Sequence, residues 1–70
     1  MTLKQVRAVC EEQPFEPYVI HLADGRALAI PHPEFLSFSD RSRIITVTLS
    51  DDSLEYVDPQ LVISLSVPAK

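Results

Sequence analysis

Two histidines, one cysteine, a few neighbouring aspartates and two close arginines are the residues of this 70-residue chain that could do chemistry. His32 stands in "IPHPEF", held between Pro31 and Pro33 with Glu34 two positions on. An imidazole beside a carboxylate can be oriented by it and can carry a proton near neutral pH. His32 and Glu34 are therefore the candidate functional bend. His21 lies in the apolar run "YVIHL". In an extended hairpin the two histidines fall four positions apart, roughly 13 Å at about 3.3 Å per residue, too far to share a metal ion.

Cys10 has no nearby histidine to draw off its proton, so it is expected to pack rather than react. Asp24, Asp51 and Asp52 are explained by turn chemistry, because their loops are too short for a calcium-binding pattern. Arg41 and Arg43 form the densest basic point, and they are the candidate RNA contacts. The chain holds a single glycine, which leaves no glycine-rich loop for phosphate. No catalytic residue, cofactor site or metal site is assigned.

The elements that must position these residues follow from spacing. Thr2 and Gln5 fit a capping box, in which hydroxyl and amide each satisfy a backbone N–H of the other's residue. Leu3, Val6, Val9 and Cys10 then recur at helical spacing, predicting a helix over residues 3–12 that ends before Pro14. "YVIHL" alternates as a strand over 18–22. Asp24-Gly25 predicts a two-residue type I′ turn, with Ala23 facing Arg26 and His21 facing Leu28. The return strand is expected to run, bent, over 27–38. "PHPEF" is its corner, because proline cannot donate to a ladder and sits at edges and bends.

Further strands are expected over 43–49, 54–57 and 61–67. In "RIITVTLS" the residues Ile45, Val47 and Leu49 share one face, while Ile44, Thr46 and Thr48 share the other. Leu54 and Tyr56 share a face of "LEYV". The alternation of "LVISLSV" places Leu61, Ile63, Leu65 and Val67 together. Asp58-Pro59-Gln60 predicts a one-turn connection between these last two strands.

The sequence therefore predicts a mainly β domain: an N-terminal helix followed by a five-stranded, strongly bent antiparallel meander that curls into a small barrel. A chain this short buries only about 60% of the surface its unfolded form exposes. One cysteine permits no internal disulfide, and no Cys/His cluster has zinc spacing, so self-association is the remaining staple. The last strand has no charge or proline to blunt its edge. Ile63, Leu65 and Tyr56 are the candidate interaction residues, in a homo-oligomer or with another protein. The net charge of −4 works against phosphate and anionic lipid. One free thiol, and an N-terminus with charges among its apolar residues, imply a cytoplasmic protein with no membrane segment.

Three stretches resemble the Sm-like family, that of the spliceosomal ring proteins and the bacterial Sm-like RNA chaperone. "YVIHLADGRALAI" is similar to the first hairpin of the first Sm motif, "RIITVTLSD" to its third strand, and "EYVDPQLVISLSVP" to the second motif of the chaperone. The resemblance implies a small barrel and, as the alternative function, RNA binding. Its second motif departs from the chaperone's: Asp58-Pro59 offers a carboxylate where the chaperone has a basic pair. The chain is also similar to a group of short bacterial proteins that share a Phe-x-Pro entry, here Phe15-Glu16-Pro17, then a "DGR" turn and an "HPEF" bend.

Overall fold

The computed structural model describes residues 1–39 and 43–68. It contains one helix, α1 (Leu3–Cys10), and six strands: β1 (Tyr18–Leu22), β2 (Ala27–Ile30), β3 (Leu36–Ser39), β4 (Ile44–Thr48), β5 (Leu54–Val57) and β6 (Val62–Ser66). The strands form two antiparallel sheets, ordered β2-β1-β6 and β3-β4-β5. The mainly β class with one leading helix is as the sequence predicts. The strand count is not.

The expected bent strand over 27–38 is divided in two by a 3₁₀ turn, Pro33–Phe35. Proline's fixed φ suits the first position of such a turn, and its missing N–H costs nothing there. "PHPEF" thus passes the chain from one sheet to the other, and Phe35 N donates to His32 O to close the turn.

The helix begins as its sequence demands. Gln5 N donates to Thr2 Oγ1 at 3.2 Å and Thr2 N to Gln5 Oε1 at 2.9 Å. It stops at Cys10, two residues short of expectation, with Glu11 as its C-cap. Val6 and Cys10 enter the core, with Leu3 and Val9 packed at its margin. Arg7 pairs with Glu11 at 3.1 Å and lies 5.3 Å over the Phe38 ring, which ties the helix to β3. The Met1 ammonium donates to Pro59 O and Val62 O, which ties its other end to the β5–β6 connection.

The hairpin register is corrected. Tyr18 pairs with Ile30, Ile20 with Leu28 and His21 with Ala27. His21 does not face Leu28, and Pro31 lies beyond the pairing. The loop is Ala23-Asp24-Gly25, closed by Gly25 N to Leu22 O at 3.0 Å and Leu22 N to Arg26 O at 2.9 Å. Gly25 has φ +93°, but Asp24 is not among the described residues with positive φ, so the turn is not type I′. Parity explains the outcome. Residues directly opposite share a face, so the buried Ile20 must meet the buried Leu28, not a polar histidine.

The last strand is corrected too. Val19, Ile20 and His21 pair with Ser66, Leu65 and Ser64, but Leu22 pairs with Val62. Ile63 is the extra residue of a β-bulge. The bulge turns Val62 into the core and Ile63 outward, while Leu65 sits opposite Ile20 at the core's margin. Leu61, Ile63, Leu65 and Val67 therefore do not share a face. Leu61 belongs to the 3₁₀ turn Pro59–Leu61, where Asp58 caps Gln60 N at 2.9 Å. The edge does carry one of the blunting devices that its sequence lacks any sign of.

Tyr18, Ile20, Leu22, Ile30, Ile45, Val47 and Val62 fill the space between the sheets. The Tyr18 phenol is pushed well above its ordinary range by burial, with the Cys10 thiol as a neighbour.

Candidate functional site

The bend does not assemble a catalytic pair. His32 and Glu34 are both exposed. The His32 ring instead lies 5.9 Å from the Phe35 ring, and no hydrogen bond joins it to Glu34 among the described residues. His21 has a structural partner across the sheet: its Nε2 and Ser66 Oγ share a 2.8 Å hydrogen bond between β1 and β6. The described residues hold no group of three or more His, Cys, Asp or Glu that could bind a metal. No described helix is long and apolar enough to cross a membrane.

The turn aspartates are occupied by their own loops. Asp51 accepts from Ser53 Oγ and from Ser53 N at 3.0 Å, and these bonds hold its carboxyl below the ordinary range. Asp24 accepts from Arg26 N at 3.1 Å and from Arg26 Nε at 2.8 Å, and is likewise lowered, the backbone bond contributing most. Arg26 also donates to Glu55, which joins the first hairpin to β5. That bond and the Asp24 pair raise its own pKa.

Arg41 lies outside the described residues. Arg43 is exposed, has φ +56°, and donates its N–H to Ser39 O at 3.0 Å. Its neighbours were not legible in the sequence. A cleft of about 370 Å³ is lined by Arg43, Thr2 and Lys4 at the start of α1, and Asp58 and Gln60 beside the second 3₁₀ turn. Lys4 and Arg43 pair with no carboxylate among the described residues, whereas Arg7 and Arg26 both do. Three separate stretches of chain meet here, and no local pattern announces it.

The candidate interaction residues separate by environment. Tyr56 on β5 and Ile63 on β6 are 68% and 64% exposed, the two most exposed of the large apolar residues. Leu65 is half-buried and faces the core. Leu54, Leu61 and Val67 join Tyr56 and Ile63 as exposed apolar residues. Among the described strands β5 pairs only with β4 and β6 only with β1, so each stands at the end of its sheet; at the start of β6, Val62 O accepts from the Met1 ammonium at 2.6 Å. No protein-family model, curated protein or solved structure matches the chain.

Proposed function

We propose that the chain is a non-enzymatic interaction module that associates with copies of itself through the free edges of β5 and β6. In this reading its two sheets are the halves of a small Sm-like barrel, and the Pro33–Phe35 turn interrupts one long bent strand passing between them. The same reading makes it a cytoplasmic protein related to the short bacterial proteins with the "DGR" and "HPEF" stretches.

One observation carries the proposal. β5 and β6 follow each other in the chain, each ends its sheet, and they do not pair with each other. Their exposed side chains include Tyr56 and Ile63, whereas the free edge at β2 exposes only Ala27 and Ala29. An unpaired edge is a template for another strand, and apolar flanks supply the burial that pairing alone lacks. The bulge at Ile63 restricts the regular part of the β6 edge to residues 64–66, so the pairing is short and leans on those flanks. Antiparallel or head-to-tail use of the two edges gives a two-fold dimer or a closed ring.

Light scattering after size exclusion tests this. Ile63→Lys adds a charge to the contact without altering the backbone and is expected to yield monomers with an unchanged circular dichroism spectrum. Ile63→Lys at the wild-type mass would overturn the edge reading.

The alternative reading is RNA binding, favoured by the cleft that gathers Lys4 and Arg43. With a net charge of −4, the first reading expects binding of single-stranded RNA no tighter than about 10⁻⁴ M at physiological salt. Sub-micromolar, salt-sensitive binding that Arg43→Glu abolishes would put the alternative first.

A further inference from the structure

The backbone of β2 presents a ladder that nothing in the described chain fills. Leu22 N donates to Arg26 O, so these two residues form a hydrogen-bonded pair. Bonded and non-bonded pairs alternate along an antiparallel ladder. Ala27 opposite His21 and Ala29 opposite Val19 are therefore non-bonded pairs, and the N–H and C=O groups of both alanines point away from β1. The same parity turns Val19, His21 and Ala23 towards β6, and Ala23 N donates to Leu61 O as it requires. Among the described strands β2 pairs only with β1. Its free edge thus offers a donor and an acceptor at each alanine, repeating at about 6.8 Å. That is the spacing of a strand's own backbone. No bulge interrupts this edge and no side chain larger than a methyl guards its outer side.

Beside these groups lies a groove of about 390 Å³, within the span of about 300–1,000 Å³ that ligand sites occupy. Ala27 and Ala29 line it from β2, Phe35 from the bend, and Leu49, Ser50 and Asp51 from the link after β4. Phe35 and Leu49 are half-buried and pack against the core, so they give the groove an apolar floor. Asp51 is its charged group. Both bonds from Ser53 fall on Asp51 Oδ1, which leaves Oδ2 without a partner among the described residues. Asp52 follows it in the turn, and Glu34 precedes Phe35 in the bend; both are exposed. No described cation lines the groove: Arg7 and Arg26 pair with carboxylates, and Lys4 and Arg43 line the other cleft.

We propose that the free edge of β2 and the groove beside it bind an extended segment of another protein, apolar at its centre and carrying lysine or arginine. The segment adds a strand to β2 through Ala27 and Ala29, sets an apolar side chain over Phe35 and Leu49, and brings a cation to Asp51. The repeating backbone groups select a polypeptide, and the acidic rim selects its charge. A second copy does not meet these terms. Glu55 is the one Asp, Glu, Lys or Arg in any described strand, so no other strand of the chain delivers a cation. The site is separate from the edges of β5 and β6 and does not depend on their use.

The probe is the capped peptide Lys-Val-Ile-Val-Lys, titrated into the ¹⁵N-labelled full chain. Binding with a Kd below about 1 mM is expected, with the amide signals of Ala27 and Ala29 moving most. Glutamate in place of both lysines is expected to weaken it at least about threefold. Methylating the three central backbone nitrogens removes donors from both edges of the peptide, leaves the protein untouched, and is expected to abolish binding. Ala29→Pro removes one donor that the β1 ladder does not use, and is expected to abolish binding with an unchanged circular dichroism spectrum. Ile63→Lys is expected to bind as the wild type does, so a failure of the self-association reading leaves this site standing. Unmoved Ala27 and Ala29 signals at about 1 mM peptide would overturn the proposal. So would a methylated or glutamate peptide that binds as tightly as the parent. Concentration-dependent movement of the same two signals in the protein alone would make a second copy the occupant and overturn it as well.

Discussion

The two sheets are built from the same number of strands and are held in different ways. The β3-β4-β5 sheet is a meander of consecutive strands, joined by short links, with an uninterrupted register. The β2-β1-β6 sheet joins a local hairpin, β1–β2, to a long-range pairing, β1–β6, which sets Val19 against Ser66 and needs a bulge to do so. The first kind of sheet is local: each pairing costs only a short loop closure. The β1–β6 pairing of the second brings together residues forty or more positions apart, and its closure entropy is correspondingly larger. Local pairing makes a sheet that forms readily. Non-local pairing makes the one that completes the core, since β1 contributes Tyr18, Ile20 and Leu22 and β6 contributes Val62.

The largest expected effects come from emptying either side of that core. Ile20→Ala in β1 and Ile45→Ala in β4 each remove a fully buried side chain and are expected to cost about 2–5 kcal/mol. In a domain of this size either loss approaches the whole margin of stability. Chemical denaturation in the Ile63→Lys background, which separates folding from assembly, measures both. Kinetics sharpen the comparison: Ile45→Ala is expected to slow refolding, whereas Val62→Ala at the late, non-local pairing chiefly speeds unfolding. Val62→Ala slowing refolding as much as Ile45→Ala would erase the distinction between the sheets.

The next effect is at the hairpin. Gly25 occupies φ +93° with nothing near the position a Cβ would take, so the cost of substitution is conformational rather than steric. Gly25→Val is expected to destabilise by at least about 1 kcal/mol. An unchanged melting temperature would mean that the loop tolerates a different backbone.

The smallest effect is a pH dependence. Asp24 and Asp51 carry carboxyls lowered by bonds made only in the folded chain. Such groups bind fewer protons folded than unfolded. Their contribution is therefore complete above the unfolded carboxyl range, near pH 4, and is lost as pH falls through the lower folded values. Both are fully exposed, so the change is slight. Denaturation midpoints between pH 5 and pH 2 are expected to fall less in Asp24→Asn with Asp51→Asn than in the wild type. An identical acid limb would show that these bonds are not maintained in solution.

What the sequence disclosed follows the same division between local and non-local. The capping box at Thr2 and Gln5, the two faces of β4 and the one-turn link at Asp58-Pro59 are set by residues within a few positions of one another, and all were legible. The turn at Gly25 was legible as a place but not as a type, although parity between Ile20 and Leu28 contained the correct register. The bulge at Ile63 was not legible. It arises because Leu22 must pair with Val62 while Ile20 pairs with Leu65, a constraint visible only once β1 and β6 are side by side. The Lys4–Arg43 cleft was hidden for the same reason. His32 has the chemistry of a candidate site, but its setting between prolines makes it the start of the corner between the sheets.

The central claim is that β5 and β6 offer their edges to other copies of the chain. Sedimentation equilibrium at about 100 μM, well above the range in which micromolar association would show, tests it most directly. The account predicts a mass that is a whole multiple of 7.9 kDa, reduced to a single chain by Ile63→Lys. A wild-type protein that sediments as one 7.9 kDa chain at that concentration would contradict it.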